Sequence, residues 1–78
     1  MYYVYTLVCS DKNLYTGCTE DLKERMSRHQ KAQVPATKKR LPAKLVTYTA
    51  INDKYKAFEF EKYLKSGSGR AFVKKHLL

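Results

Sequence analysis

Nowhere in the 78-residue sequence is there an apolar run approaching the roughly 20 residues that a membrane-spanning helix requires. The opening MYYVYTLVC has neither a basic leading segment nor a small-residue cleavage site, so it does not read as a secretory signal. A cytoplasmic location, with no membrane partner, is therefore expected. Cysteine is scarce: Cys9 and Cys18 form no CxxC pair, and with His29 and His76 they give no convincing zinc spacing. Without a secretory signal, two such thiols are expected to be reduced and partly buried rather than bridged. Repeats, linkers and low-complexity segments are absent too, and the length allows one domain, residues 1–78, with a thin core. Acidic residues are also few, seven against 16 lysines and arginines, which leaves a formal charge of +9. That excess is more than solubility demands and points to a polyanionic partner. A membrane-surface helix is a poorer explanation, because the basic residues are spread over several elements.

What is present reads as an α+β domain. Tyr2 to Cys9 is rich in aromatic and β-branched residues and predicts a strand. Ser10 to Asn13 is turn chemistry, and Leu14 to Cys18 predicts the second strand of a hairpin. Thr19 suits a helix N-cap, with Glu20 and Asp21 in the first turn, where the helix dipole favours acids. That helix should run to about Gln30 or Lys31 with Leu22 and Met26 inward. Lys31 to Ala43 lacks a period, holds Pro35 and Pro42, and reads as a basic connecting loop. Lys44 to Ala50 alternates like a strand, and Asn52 or Asp53 caps a long helix from about Lys54 to Lys65. Ser66-Gly67 ends that helix through the left-handed freedom of glycine, and Ser68 caps a last helix to about Lys75, with Phe72, Val73 and Leu77 on its apolar side. The predicted architecture is a small three-stranded antiparallel sheet flanked by helices, in the order β-β-α-β-α-α.

The informative residues are polar groups on faces that should be apolar. At the helical spacing, Phe60 falls about 60° to one side of Ala57, Glu61 about 40° to the other, and Leu64 nearly in line. Glu61 thus lies within the arc that packs on the sheet, whereas Glu59 points away. Burying a lone carboxylate is costly, so Glu61 requires a cation, a metal or a donor. An ordinary boundary pairing with Lys62 or Lys65 is the alternative. On the preceding helix, relative to Leu22, Arg25 and His29 flank the buried stripe, and Arg28 is more exposed. A guanidinium there can present its planar fork to a phosphate, or simply lay its methylenes along the core and reach water. Tyr5 and Tyr15 share a face only in an even-sum hairpin register. Tyr5 opposite Gly17 and Leu7 opposite Tyr15, with a three-residue turn, satisfies it. Gly17 then leaves room beside the Tyr5 ring. Plain strand packing is the competing account of each tyrosine.

Taken together, these residues resemble the GIY-YIG nuclease family over essentially the whole chain. Tyr3-Val4-Tyr5 stands at the first signature triplet and Tyr15-Thr16-Gly17 at the second, separated by a short hairpin turn. DLKERMSRH (Asp21 to His29) is similar to the family's arginine-bearing helix, with Arg25 ten residues after Tyr15. AFEFEKYLK (Ala57 to Lys65) is similar to its glutamate-bearing helix, with Glu61 at the metal-ligand position. The closest likeness is to compact, stand-alone bacterial members, related to the incision domain of bacterial excision repair. Tyr3 replaces the first signature glycine, Val4 and Thr16 replace the isoleucines, and Cys18 stands where some relatives carry a lysine.

The resemblance implies a divalent-metal-dependent endonuclease acting on DNA rather than RNA, structured or damaged DNA and a repair role included. Glu61 would hold Mg²⁺ or Mn²⁺, Arg25 would stabilise the phosphate, and Tyr5 and Tyr15 would orient the attacking water, with His29 a candidate proton acceptor. Lys38, Lys39, Arg40, Lys44, Lys74 and Lys75 are candidates for contacts to backbone phosphates, which confer salt-sensitive affinity without sequence preference. Two other readings are a nucleic-acid-binding module that keeps the fold with little turnover, and a docking subunit of a larger repair or processing complex. The chain is expected to be monomeric.

Overall fold

In the computed structural model, which describes residues 1–78, the elements follow in the expected order. They are β1 (Tyr2–Val8), β2 (Leu14–Thr19), α1 (Leu22–Gln30), β3 (Lys44–Ile51), α2 (Lys54–Lys65) and α3 (Gly67–His76). The three strands form one antiparallel sheet in the order β2-β1-β3, which leaves β2 and β3 at its edges. The hairpin takes the even-sum register, with Tyr5 opposite Gly17 and Leu7 opposite Tyr15. Its turn has three residues closed by the Cys9–Asn13 pair: the Cys9 N–H donates to the Asn13 carbonyl, and the Lys12 N–H donates to the Cys9 carbonyl. Lys12 takes the left-handed conformation, φ 66°, that such a turn needs at its last position. Between β1 and β3 the pairing jumps from Thr6–Thr47 to Leu7–Leu45, so Val46 is an extra residue that bends the edge strand.

Alternation along the strands separates two faces. On one, Val4 joins Ala57 and Leu64 of α2 and Val73 of α3 in the main apolar cluster, with Leu14, Ile51 and Phe60 packed at its margin. Each fully buried valine or leucine contributes about 1.5–3 kcal/mol, and alanine at 57 lets α2 approach the sheet closely. The other face carries Tyr5, Leu7 and Tyr15 and meets the far end of α1 through His29. Only 13 of the 78 residues are buried, so the interior is as thin as the length implies and stability rests on few positions. Both cysteines are free thiols, Cys9 buried and Cys18 half-buried.

Five local expectations are corrected. The N-cap of α1 is Asp21, whose carboxylate accepts from the Glu24 N–H at 3.0 Å. Thr19 instead holds the approach, its hydroxyl accepting from the Asp21 N–H. α3 starts at Gly67, not after Ser68, because Ser66 serves both helices: it closes α2, and its hydroxyl accepts from the Gly69 N–H. Gly67 is not left-handed, since no glycine in the chain has positive φ. Leu22 and Met26 are only half-buried, because α1 is short and docks through its far end. With Tyr3, Leu45 and Tyr48 they line an open groove of about 770 Å³ beside β3. On α3 only Val73 of the three apolar candidates is buried, while Phe72 and Leu77 are exposed.

Candidate active site

Tyr5 has no solvent exposure, and its ring crosses β2 in the space that Gly17 leaves open. A Cβ on Gly17 would fall on the Tyr5 hydroxyl and within 2.6 Å of Cζ. The phenol is thereby carried from the central strand to the edge strand. There its ring lies 6.3 Å from that of Tyr15, which remains half-buried. The imidazole of His29 stands edge-on to both, 5.7 Å from Tyr5 and 5.4 Å from Tyr15.

His29 is the one buried residue of α1. Its Nε2 is 3.0 Å from the Tyr5 hydroxyl and its Nδ1 is 2.7 Å from Thr37 Oγ1. One proton arrangement satisfies the whole chain: Tyr5 O–H donates to Nε2, Nδ1–H donates to Thr37, and the Thr37 hydroxyl points to the Val34 carbonyl at 3.5 Å. That arrangement needs a neutral imidazole. Burial, followed by the charges of Arg25 and Arg28, lowers the His29 pKa and favours it. Burial also pushes the Tyr5 phenol up to about 12, with smaller upward contributions from Tyr15 and Glu61 opposed by Arg25. Tyr5 therefore keeps its proton at neutral pH.

Arg25 reaches the same place from α1. Its guanidinium lies beside the Tyr5 phenol and lowers its pKa, yet Arg25 closes no well-aligned hydrogen bond, and its Nε is buried without a partner. Glu61 arrives from α2, on the other face. Both act on Cys18, whose thiol is raised first by burial and then by Glu61, with Arg25 opposing. The free edge of β2 is thus flanked by a cation from one face and a carboxylate from the other. Next to it, Cys18, Thr19, Arg25, Lys54 and Phe58 line a recess of about 400 Å³. Glu61 Oε2 accepts from Lys65 Nζ at 2.9 Å, the boundary pairing weighed from the sequence, while Oε1 has no partner.

The chain has no cluster of three or more His, Cys, Asp or Glu side chains suited to a metal. A lone carboxylate with a free oxygen still fits Mg²⁺ or Mn²⁺, hard cations that keep several waters and share substrate phosphates. Lys65 competes for that carboxylate.

The structure brings Tyr5, Tyr15, Arg25 and His29 together on one face, with Glu61 at the β2 edge from the other. Lys38, Lys39 and Lys75 are exposed and line none of the recesses. Lys44 borders a separate recess with Leu41 and Pro42. Arg40 and Lys74 meet in another, alongside Lys12 and Arg70. Three residues were missed. Thr37 lies in a segment without period, and nothing in its neighbours marks it as the partner of His29. Lys12 and Arg70 are single basic residues whose convergence depends on the fold.

The β-β-α-β-α-α order, with Tyr5 packed over Gly17 and with Arg25 and Glu61 carried on separate helices, defines an α+β sheet domain. The chain belongs to the GIY-YIG family: the model of the GIY-YIG catalytic domain matches residues 1–75. It is similar to a UPF0213 protein of Streptococcus agalactiae serotype V, 38% identical over 78 residues, covering 95% of this chain and 89% of that protein. A UPF0213 protein of Pediococcus acidilactici is 36% identical, covering 94% of this chain and 78% of the relative. The solution NMR structure of the UPF0213 protein BH0048 from Bacillus halodurans matches with a TM-score of 0.61 at 32% identity, over 96% of this chain and 84% of that one. No helix is long and apolar enough to cross a membrane.

Proposed function

We propose that this chain is a divalent-metal-dependent endonuclease that hydrolyses phosphodiester bonds in DNA, structured or damaged DNA included. The observation that carries the reading is the convergence of Arg25 and Glu61 on the free edge of β2 from opposite faces. Arg25 has a buried Nε without a partner there, and Glu61 has a free carboxylate oxygen. Phosphodiester hydrolysis needs an oriented water and charge neutralisation on the phosphoryl oxygens. Arg25 offers a fork that binds such oxygens in pairs. Glu61 would hold Mg²⁺ or Mn²⁺, which would supply further charge neutralisation. Tyr15, the half-exposed phenol, meets and orients the water. Tyr5, fully buried, sets the position of Tyr15 and His29 through its ring contacts and its hydrogen bond to Nε2.

The test is cleavage of supercoiled plasmid, branched DNA, single strands and RNA at low salt with Mg²⁺, Mn²⁺ or EDTA. Glu61→Gln is expected to abolish cleavage and spare binding. Undiminished cleavage by that variant removes the metal role. A second reading, a nucleic-acid-binding module with little turnover, draws on the Lys65–Glu61 ion pair and on cysteine at position 18. Salt-sensitive binding by both proteins with no cleavage by either selects it.

A further inference from the structure

At the turn end of the hairpin, three segments distant in sequence close on one recess of about 390 Å³. The turn contributes Lys12 and Asn13, β2 contributes Leu14, the connecting segment contributes Arg40, and α3 contributes Arg70 and Lys74. Four of the six lining residues are cations and none is acidic. Arg70 and Lys74 stand one helical turn apart on the same side of α3. Lys12, Arg70 and Lys74 form no ion pair, although the chain makes two elsewhere and one at Arg40.

Arg40 is held differently. Asp11 accepts its Nε at 2.8 Å and, more distantly, its Nη2 at 3.5 Å, while also accepting the Asn13 N–H at 3.0 Å. The Arg40 hydrogen bond, then the Asn13 backbone bond, hold the Asp11 carboxyl below its ordinary range, so Asp11 stays ionised. The Ser10 N–H donates to the Arg40 carbonyl, which fixes the backbone as well. Asp11 does not line the recess; it braces one guanidinium and leaves Nη1 without a partner. A guanidinium held in place with its Nη1 free, and three unpaired cations around the same recess, constitute a site for a multiply hydrogen-bonding anion, and phosphate has that chemistry.

The recess also lies on a path. Along β2, Asn13 is two residues from Tyr15 and four from Gly17, roughly 7–13 Å at the rise of a strand. That span is roughly two to four nucleotides of one duplex strand. Lys54 of α2 stands beside Cys18 near one end of β2, and Lys74 of α3 stands beside Lys12 at the other. We infer that this recess is a second phosphate site, which binds a phosphate of the same strand whose scissile phosphate lies at Arg25 and Glu61. The inference rests on the nuclease reading for its ligand.

The test is binding of short fluorescent DNA in EDTA across a range of salt, read by anisotropy, so cleavage is not required. Arg70→Ala/Lys74→Ala is compared with wild type and with Lys31→Ala/Lys56→Ala, which removes the same charge outside the recess. All four positions are exposed, and thermal melting checks that each variant folds. The expected result is a slope of log affinity against log salt reduced by about one to two for the recess variant and not for the control. Inorganic phosphate should shift the amide resonances of Lys12–Leu14 and Arg70–Lys74 in wild type and in the control, but not in the recess variant. Equal losses in the recess and control variants overturn the site and leave the nuclease reading standing. Absence of binding by wild type overturns both. Oligonucleotides with and without terminal phosphates distinguish the source: an equal effect assigns an internal phosphate, and an effect confined to phosphorylated ends assigns a terminus.

Discussion

Gly17 shows how one absent side chain can place another. The strand is the wrong place for glycine on propensity alone, and that anomaly was legible before any coordinates. The Tyr5 ring fills the space, so its position is set by van der Waals exclusion as well as by its hydrogen bond to His29. Gly17→Ala is expected to destabilise the fold by about 1–3 kcal/mol, the usual range for overpacking, because neither β2 nor the buried ring can give way cheaply. Chemical denaturation checks this, and an unchanged midpoint would mean that the ring does not lie over Gly17. Glu61 was legible from helical spacing, as was its alternative partner Lys65. Thr37 was not, because the segment from Lys31 to Ala43 has no period to place it. Only the folded chain brings its hydroxyl to His29.

At the level of elements, the sequence carried type and order well and boundaries less well. Both shifted N-caps fall where capable residues cluster: Thr19 and Asp21 in one case, Ser66 and Ser68 in the other. Which of them caps depends on where the chain leaves the previous element, and local chemistry does not decide that. The end of α1 offers a test. The Ala32 N–H donates to the His29 carbonyl and the Gln33 N–H to the Arg28 carbonyl, with Ala32 at φ 58° in the left-handed region. An L-residue there costs about 1–2 kcal/mol, which glycine avoids at the expense of unfolded-state entropy. Ala32→Gly is expected to raise stability by up to about 1 kcal/mol. A lower melting temperature for that variant would show that the terminus is not held in this conformation. The buried His29 hangs from this last turn, so the cap also governs the site.

For the whole molecule, two groups at one hydrogen bond set opposite limits on pH. His29 has a lowered pKa in the fold, so the unfolded chain binds the extra proton more readily. The stability it contributes is complete above its ordinary 6.5 and falls as pH drops below that value. Tyr5 is raised from 10.0 to about 12, so its contribution is complete below 10 and is lost as pH climbs toward 12. Denaturation midpoints should therefore fall below 6.5 and again on the alkaline side, where the raised thiols of Cys9 and Cys18 begin the loss above their ordinary 9.0 and Tyr5 extends it. His29→Gln should flatten the limb just below 6.5 while keeping the alkaline one, and an unchanged acid limb would assign it to other groups. The charge excess was legible as a sum, but its gathering into one recess was not, because Lys12, Arg40 and Arg70 are strangers along the chain. Ser66 ends one helix and begins the next without a loop, and at Gly69 a Cβ would lie within 2.6 Å of the Leu64 Cα. The corner between α2 and α3 is consequently a fixed angle. On the nuclease reading, Glu61 on one arm and Arg70 on the other would act as the jaws of a calliper, set to one length of phosphate backbone.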